Sequence, residues 1–230
     1  MKLRTLAFLA CLAVSVSARA DVVAEWQKKI ADSTKALESG EYKRSLGLAE
    51  SVVRQMIERL GLGEASTKAF GVAVMHKAVA LAGLGKHDDA IWYWQVASSL
   101  HPELAKRDLS AFGEAGKFLA ENGEPRKPPV AEAGDGKPRT AELTPPKLLK
   151  HTLPTFPGGA HAMGAGGQLV VEVVITETGT VTSPVIEQPL SAPTLSYVAL
   201  EAVRRWRFQP AKNQGEPVPV IFKLTVGFKP

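Results

Sequence analysis

Three arginines surround a tryptophan in the segment RRWRFQPAKNQGEPVPV, residues 204–220. Arginine binds phosphate and tryptophan stacks on bases, so this combination could bind nucleic acid or an anionic lipid. The surrounding charge argues against that chemistry, because residues 151–230 hold six basic and five acidic residues. The arginines fall in the last turn of a predicted helix instead, where a cation is stabilised by roughly 0.3 to 1 kcal/mol.

The remaining polar residues show no spacing typical of catalysis or metal binding. The five histidines lack the spacing of metal ligands. Asp88 and Asp89 stand at a helix start, where the helix dipole accounts for them. The glycine-rich GGAHAMGAGG precedes a strand, whereas a phosphate-binding loop opens a helix. We therefore expect no enzyme activity, metal, cofactor or small-molecule substrate. The histidines are His76, His87, His101, His151 and His161.

Three consecutive aromatic residues, Trp92, Tyr93 and Trp94, could stack on a ligand. Trp94 occupies the position at which a helical repeat packs its core. Trp92 or Tyr93 must then point elsewhere, so these two residues are candidates for a partner-binding groove.

The first 20 residues have the pattern of a secretory signal peptide. Lys2 and Arg4 precede an apolar run over residues 6–16, and the small-residue ending at residues 18–20 predicts cleavage before Asp21. The apolar run is shorter than the roughly 20 residues of a membrane-spanning helix. We expect a protein exported to the periplasm.

Cys11 raises the alternative of a lipoprotein, but the apolar run continues beyond it, where a lipidated cysteine should close the run.

Removing the signal takes away Lys2, Arg4 and Arg19, so the net charge falls from +5 to +2. The remaining chain has no cysteine and no domain-wide basic surface. This balance excludes disulfides and argues against nucleic acid as a partner.

Residues 21–121 have apolar positions three and four apart, which predicts an all-α domain. Glycine or proline marks each break between helices. The predicted helices lie near residues 22–38, 42–60, 67–84, 87–100 and 103–121.

One stretch of this region resembles a tetratricopeptide repeat, in which small residues let two helices approach and a proline starts the next unit. An upstream stretch around Gly40 looks like a degraded copy. The offset from Gly40 to Gly85 is 45 residues, against 34 in that repeat. We therefore expect stacked helical hairpins without a regular period. The matching residues are Ala78, Gly85, Ala90, Trp94, Ala97 and Pro102.

Residues 122–150 contain six prolines and mixed charges, which predicts a linker. Fully extended as polyproline II, it would span roughly 90 Å and could separate two domains widely.

From residue 168 the apolar period changes to two. QLVVEVVIT and TVTSPVI flank the turn at Gly179, which predicts a hairpin, and Pro184 confines the second strand to an edge. A helix follows with an apolar stripe, and the chain ends in a strand with one buried face. We predict an α+β protein of two domains, the second being a three-stranded antiparallel sheet packed on a helix in the order β-β-α-β. The stripe consists of Leu195, Val198, Ala199, Ala202, Val203 and Trp206.

This second domain, residues 151–230, resembles the C-terminal domain of the TonB family of energy transducers. The matching segments are PTFPGGA, GGQLVVEVVITETGTV, ALEAVRRWRFQPA and GEPVPVIFKLTVGF, in the family's order. Phe156 stands where tyrosine is commoner in the family. The resemblance does not extend to the N-terminus, where TonB keeps an uncleaved transmembrane helix coupled to a motor in the inner membrane.

The resemblance implies a partner and a site. In the family, the last strand is an open sheet edge to which an extended "TonB box" of an outer-membrane transporter adds as a further strand. Such pairing uses backbone groups, and alternate side chains set specificity. The implied partner-binding residues are Val218, Pro219, Val220, Ile221, Phe222, Lys223, Leu224, Thr225 and Val226, together with Phe156 and Pro157.

Two alternatives remain open. The signal segment could stay uncut, which would make the chain a membrane-anchored energy transducer. The last strand could instead pair within a homodimer, which would make the protein a structural scaffold of the envelope. The partner could also be another protein of the cell envelope rather than a TonB-dependent transporter.

Overall fold

Among the described residues, helices dominate the first half of the chain and the antiparallel strands all lie in the second, as the predicted α+β class requires. The computed structural model describes residues 2–59, 64–125, 143–155, 157 and 166–228, with no side chains described for residues 2–19, 64–66 and 228. The helices are α1 (Lys2–Glu38), α2 (Tyr42–Glu58), α3 (Glu64–Gly83), α4 (His87–Leu100), α5 (Gly113–Asn122) and α6 (Pro193–Val203). The strands are β1 (Leu143–Thr144), β2 (Lys147–Lys150), β3 (Gly167–Ile175), β4 (Val181–Gln188), β5 (Arg207–Gln209), β6 (Ala211–Asn213), β7 (Glu216–Val218) and β8 (Val220–Phe228). Within the described ranges, no helix combines the length and the apolar character needed to cross a membrane.

The turns after α1 and α3 have the same geometry. Gly40 and Gly85 both have φ of +72°, the left-handed conformation that glycine adopts without strain. Beyond each glycine, a backbone N–H reaches back to the helix: Glu41 donates to Ala36 at 2.7 Å, and Lys86 donates to Leu81 at 2.9 Å. These two stops are compatible with the predicted repeat-like hairpins.

The small residues of the repeat-like stretch lie where helices meet. Ala78, Ala90 and Ala97 are fully buried, and Trp94 is 7% exposed. Pro102 begins a short 3-10 helix, Pro102–Lys106, directly after α4. The core position predicted for Trp94 is confirmed by this burial.

The predicted fifth helix, residues 103–121, is wrong in its first half. Two short 3-10 helices occupy this stretch, and α5 begins only at Gly113, whose φ is +58°. The Asp108 carboxylate accepts a hydrogen bond from the Ser110 backbone N–H at 2.8 Å, which fixes a turn between them. Helical periodicity alone does not reveal such a side-chain cap.

A buried polar cluster joins the first three helices. His76 is fully buried, with Nδ1 3.1 Å from Ser33 Oγ and Nε2 3.4 Å from Thr34 Oγ1. Ser33 Oγ also lies 2.8 Å from Ser45 Oγ. Burial, with a smaller effect of Arg107, lowers the pKa of His76 to about 4, so the imidazole is neutral at pH 7.

The main sheet has the strand order β4-β3-β8, and both pairings are antiparallel. Alternate residues of β3 are completely buried, namely Leu169, Val171, Val173 and Ile175. The apolar stripe of α6 and the following turn shares a core with this face, as predicted, although Val198 is only half-buried. Both the hairpin and the edge position of β4 are confirmed.

Five short strands form three further pairings that the sequence did not predict. β1 pairs with β6, and β2 pairs with β5, so residues 143–150 join the C-terminal domain although they were assigned to the linker. β6 and β7 form a hairpin whose turn residues, Gln214 and Gly215, both have positive φ, as in a type I′ turn. Strands of two to four residues carry too little periodicity to be recognised in a sequence.

Gly179, in the turn of the β3–β4 hairpin, is expected to be intolerant of substitution. Its φ is +76°, its carbonyl accepts the Phe208 N–H at 2.9 Å, and an added Cβ would lie 1.8 Å from the Phe208 carbonyl oxygen. We expect Gly179→Ala to lower the free energy of unfolding by at least about 2 kcal/mol, measured by urea denaturation.

Gly215→Ala is the matched control for that change. Gly215 has φ of +87°, but nothing lies within 4 Å of the added Cβ. Only backbone strain remains, at a cost of about 1 kcal/mol. Equal losses in the two variants would contradict the close approach of Gly179 to β5.

The helical region and the C-terminal domain share one continuous hydrophobic core. Helix α4 packs against β4, and helices α2, α3 and α4 each contact α6. The linker therefore does not hold the two parts apart, contrary to the wide separation that its length would allow. Apolar faces on both parts are what bring them together.

Candidate functional site

β8 lies at one edge of the main sheet. It pairs with β3 at nine register positions, from Ile175↔Val220 to Gly167↔Phe228. In the part of the chain that the structure describes, no strand pairs with its other side. The outward backbone groups of β8 therefore form an open ladder on which an extended segment could pair.

Side chains of β8 alternate between two environments. Leu224 and Val226 are buried, and the half-buried Phe222 ring lies 6.1 Å from that of Phe208. Ile221 is 44% exposed on the opposite face. An added strand would have an apolar core beside one set of its side chains and a solvated surface beside the other.

The positive charge on the solvated face, that of Lys223, is paired with a carboxylate. Lys223 Nζ lies 2.6 Å from Glu187 Oε2 of β4, across the intervening strand β3. The hydrogen bond and the charge of Glu187 raise the pKa of the Lys223 ammonium. Because a carboxylate already pairs with this lysine, the face offers a mixed rather than a strongly basic surface.

The predicted site begins before β8. Val218 is the last residue of β7 and pairs with Ala211 of β6, while Pro219 lies between β7 and β8. Proline has no N–H to contribute to a ladder, so the chain changes its pairing partner at that residue. Within the described residues, the continuous edge runs from Val220 onward, and Val218 lies in a different pairing.

Phe156 lies outside the described residues. Its neighbour Pro157 is half-buried and lines a cavity of about 470 Å³. The walls of this cavity include Ile57 near the end of α2, Val198 of α6, and the segment Leu153, Pro154, Thr155 and Pro157. None of its lining residues belongs to β8.

Trp92 and Tyr93 do not form an open groove. They are only 4% and 6% exposed, because the C-terminal domain covers them. The Tyr93 hydroxyl donates a hydrogen bond to Glu201 Oε2 at 3.2 Å, and the Tyr93 ring stacks 6.3 Å from that of Tyr197. Helix α6 occupies the position in which a separate partner was expected.

The arginine cluster is also engaged within the chain. Arg204 forms an ion pair with Asp89, and its guanidinium lies 5.4 Å from the Trp92 ring centroid and 5.2 Å from that of Tyr93. Arg207 donates hydrogen bonds to the backbone carbonyls of Arg204 and Trp206. The prediction that the arginines interact with the dipole of their own helix did not identify these contacts of Arg204, which come from residues of the helical region.

Four of the five histidines have packing or structural neighbours. His87 stacks on Phe118 at 4.2 Å, His151 lies 4.6 Å from Trp206, and His101 fills the space beside Gly71. His76 belongs to the buried cluster, and His161 lies outside the described residues. Across the described ranges, no three His, Asp or Glu side chains gather in a way that could hold a metal ion.

Residues 152–230 match the model of the family described as "Gram-negative bacterial TonB protein C-terminal". A segment of 87 residues is 32% identical to "Protein TonB" of Yersinia enterocolitica, covering 38% of this chain and 34% of that protein. "Protein TonB" of Escherichia coli (strain K12) is 30% identical over 96 residues, which are 41% of this chain and 40% of the relative. The protein of the same name from Salmonella typhimurium is 29% identical over 124 residues, which are 53% and 51% of the two chains. The matches thus span between a third and a half of these relatives.

Proposed function

We propose, from the match of residues 152–230 to the TonB C-terminal family, that the chain is an envelope protein of transport energy transduction. Its β8 edge receives an extended segment of an outer-membrane transporter by strand addition.

The open ladder of β8 is the observation that carries this proposal. Nine residues of β8 are held in register by β3, so their outward backbone groups are fixed before any partner binds. Each backbone hydrogen bond made to an incoming segment contributes about 0.5–1.5 kcal/mol net. Several such bonds along one strand support recognition of an extended peptide without a deep pocket.

Side chains next to the edge favour a partner of mixed character. Ile221 and Thr225 are exposed on one face, and Phe222 borders the core on the other. Since Lys223 is already paired with Glu187, a strongly acidic segment gains little from it. The partner segment is accordingly an extended one with alternating small polar and apolar residues.

Cross-linking tests this assignment directly. The only cysteine of the chain is Cys11, so a protein beginning at Asp21 is free of cysteine. In the presence of a mild thiol oxidant, which takes up the two electrons released, we expect Thr225→Cys on β8 to form a disulfide with a TonB-box peptide that carries one cysteine. Glu177→Cys, exposed in the β3–β4 turn, is the control and should react only at the background rate.

Equal cross-linking rates for Thr225→Cys and Glu177→Cys would contradict the proposal that the peptide pairs with this edge. Rapid cross-linking of Thr225→Cys to a second copy of itself, with no peptide present, would favour the homodimer instead. Sedimentation of the unmodified protein at several concentrations distinguishes that case from a monomer.

Cleavage of the N-terminal segment decides how the protein is held in the envelope. A processed N-terminus at Asp21, recovered from the soluble periplasmic fraction, supports an exported interaction protein. An intact N-terminus in the membrane fraction supports the alternative, a membrane-anchored energy transducer. Either outcome leaves the β8 assignment to be decided by cross-linking.

A further inference from the structure

We infer that helix α4 caps the β4 edge of the sheet and thereby restricts strand addition to β8. The inference rests on the proposed function, because it concerns which edge a peptide can use. The helical region is thus an intramolecular partner of the C-terminal domain, and its docking surface determines where an extended segment can pair.

A three-stranded sheet has two edges, and both can template a further strand. With the order β4-β3-β8, the second edge belongs to β4. This strand is irregular near its middle, where Ser183 has φ of +50° and Pro184 has no N–H. Beyond Pro184 the register with β3 resumes at Val185 and Ile186, so that part of β4 could accept a strand if it were uncovered.

Helix α4 covers that part of β4. The backbone N–H of Ile186 donates a hydrogen bond to Ser99 Oγ of α4 at 2.6 Å. A backbone donor at the sheet edge is therefore satisfied by a side chain of the helical region, 87 residues away in sequence. An incoming strand would have to displace both this bond and the helix behind it.

A set of polar contacts from α6 and the residue that follows it, Arg204, holds the helical region in this position. Arg204 pairs with Asp89 at the start of α4. The Tyr93 hydroxyl donates to Glu201, and the Lys77 ammonium donates to the Tyr197 hydroxyl at 3.4 Å. Since cationic and anionic members come from both sides of the interface, only one relative placement pairs them all.

Aromatic burial accompanies these polar contacts. Tyr197 is 4% exposed, and its ring lies 5.4 Å from Phe70 of α3 in an edge-on arrangement. Separation of the two parts would expose Trp92, Tyr93 and Tyr197 together. The docked state is therefore stabilised by apolar burial, and the charged pairs select its geometry.

The experiment uses the protein that begins at Asp21 and compares cysteines placed at the two edges of its main sheet. The cross-linking rate of Val185→Cys measures access to β4, and that of Thr225→Cys measures access to β8. Both native side chains are exposed. The probe is the same cysteine-bearing TonB-box peptide. We expect Val185→Cys to cross-link about tenfold more slowly than Thr225→Cys in the docked protein.

Undocking should remove that difference. Arg204→Asp places a carboxylate beside Asp89 and Glu201, so we expect faster amide exchange at Ile186 and about tenfold faster cross-linking of Val185→Cys. Cross-linking of Thr225→Cys should be unchanged, which also shows that the sheet is intact. The double change Asp89→Arg with Arg204→Asp restores an ion pair and should restore the slow rate.

Failure of Thr225→Cys to react would contradict the proposed function, whereas the other outcomes concern the cap. Equal cross-linking rates at both edges of the docked protein would contradict the inference that α4 caps the β4 edge. A rate at Val185→Cys that stays slow after undocking would also overturn it, because β4 would then be protected by its own irregularity. Unchanged exchange at Ile186 in Arg204→Asp would show that the ion pair does not hold α4 in place, and this too contradicts the inference.

Discussion

Replacement of Trp206 by alanine is expected to lower the free energy of unfolding by about 3–5 kcal/mol, the range for deletion of a large aromatic side chain from a core. Trp206 is 5% exposed and follows α6 at the point where the chain turns into β5. Its ring centroid lies 4.6 Å from that of His151 and 6.5 Å from that of Phe208. The indole therefore packs against the segment that contains His151 and Thr152 and against Phe208 of β5. Its removal leaves a cavity that the surrounding backbone cannot fill.

Circular dichroism during urea denaturation measures this loss without relying on tryptophan emission, to which three other tryptophans contribute. Trp206→Phe is the graded control. It keeps an aromatic ring but removes the hydrogen bond that Trp206 Nε1 donates to the Thr152 carbonyl at 2.8 Å. We expect the control to lose distinctly less than the alanine variant. A loss under about 1 kcal/mol for Trp206→Ala would contradict a core position.

Acidification is expected to destabilise the helical region through His76. The imidazole has a pKa of about 4 in the folded protein and 6.5 as its ordinary value. Between these two values the unfolded chain binds a proton that the folded chain does not, so stability falls as the pH falls. The full loss, reached near pH 4, is on the order of 3 kcal/mol, because each pKa unit corresponds to about 1.4 kcal/mol.

Urea denaturation at a series of pH values between about 7 and 4 measures this slope, and His76→Asn is its control. Asparagine can retain a hydrogen bond with Ser33 but does not titrate. The variant should therefore lose most of the pH dependence, whatever its stability at neutral pH. A smaller slope should remain, because burial also lowers the pKa of His101. An unchanged slope in His76→Asn would rule out this histidine as the origin.

Local patterns sufficed for much of the fold. The period-two runs around Gly179 predicted the β3–β4 hairpin, because a strand exposes alternate residues to the core whatever lies beyond it. The alternation before Pro230 predicted the buried face of β8 in the same way. Glycines such as Gly40 and Gly85 ended helices as expected, since positive φ is a property of a single residue.

The sequence failed where a residue's neighbours come from far along the chain. Trp92 and Tyr93 were expected in a groove, because a helix with aromatic residues all round has no distinguishable outer face. The structure buries them against the region of α6, where Glu201, the partner of Tyr93, lies 108 residues later in the chain. Arg204 was assigned to its own helix end for the same reason, although its partner Asp89 is 115 residues away.

The sequence by itself determined most of the longer helices and strands and the nature of the C-terminal domain, since both depend on short-range periodicity and on motifs contiguous in the chain. The resemblance to the TonB family also implied that the last strand would be an edge. Only the tertiary structure decided which of the two sheet edges stays open. That difference arises from one face of α4 lying along β4, and from Ser99 reaching the Ile186 N–H. Docking of two domains depends on complementary surfaces formed after each has folded, and no local pattern encodes their relative placement.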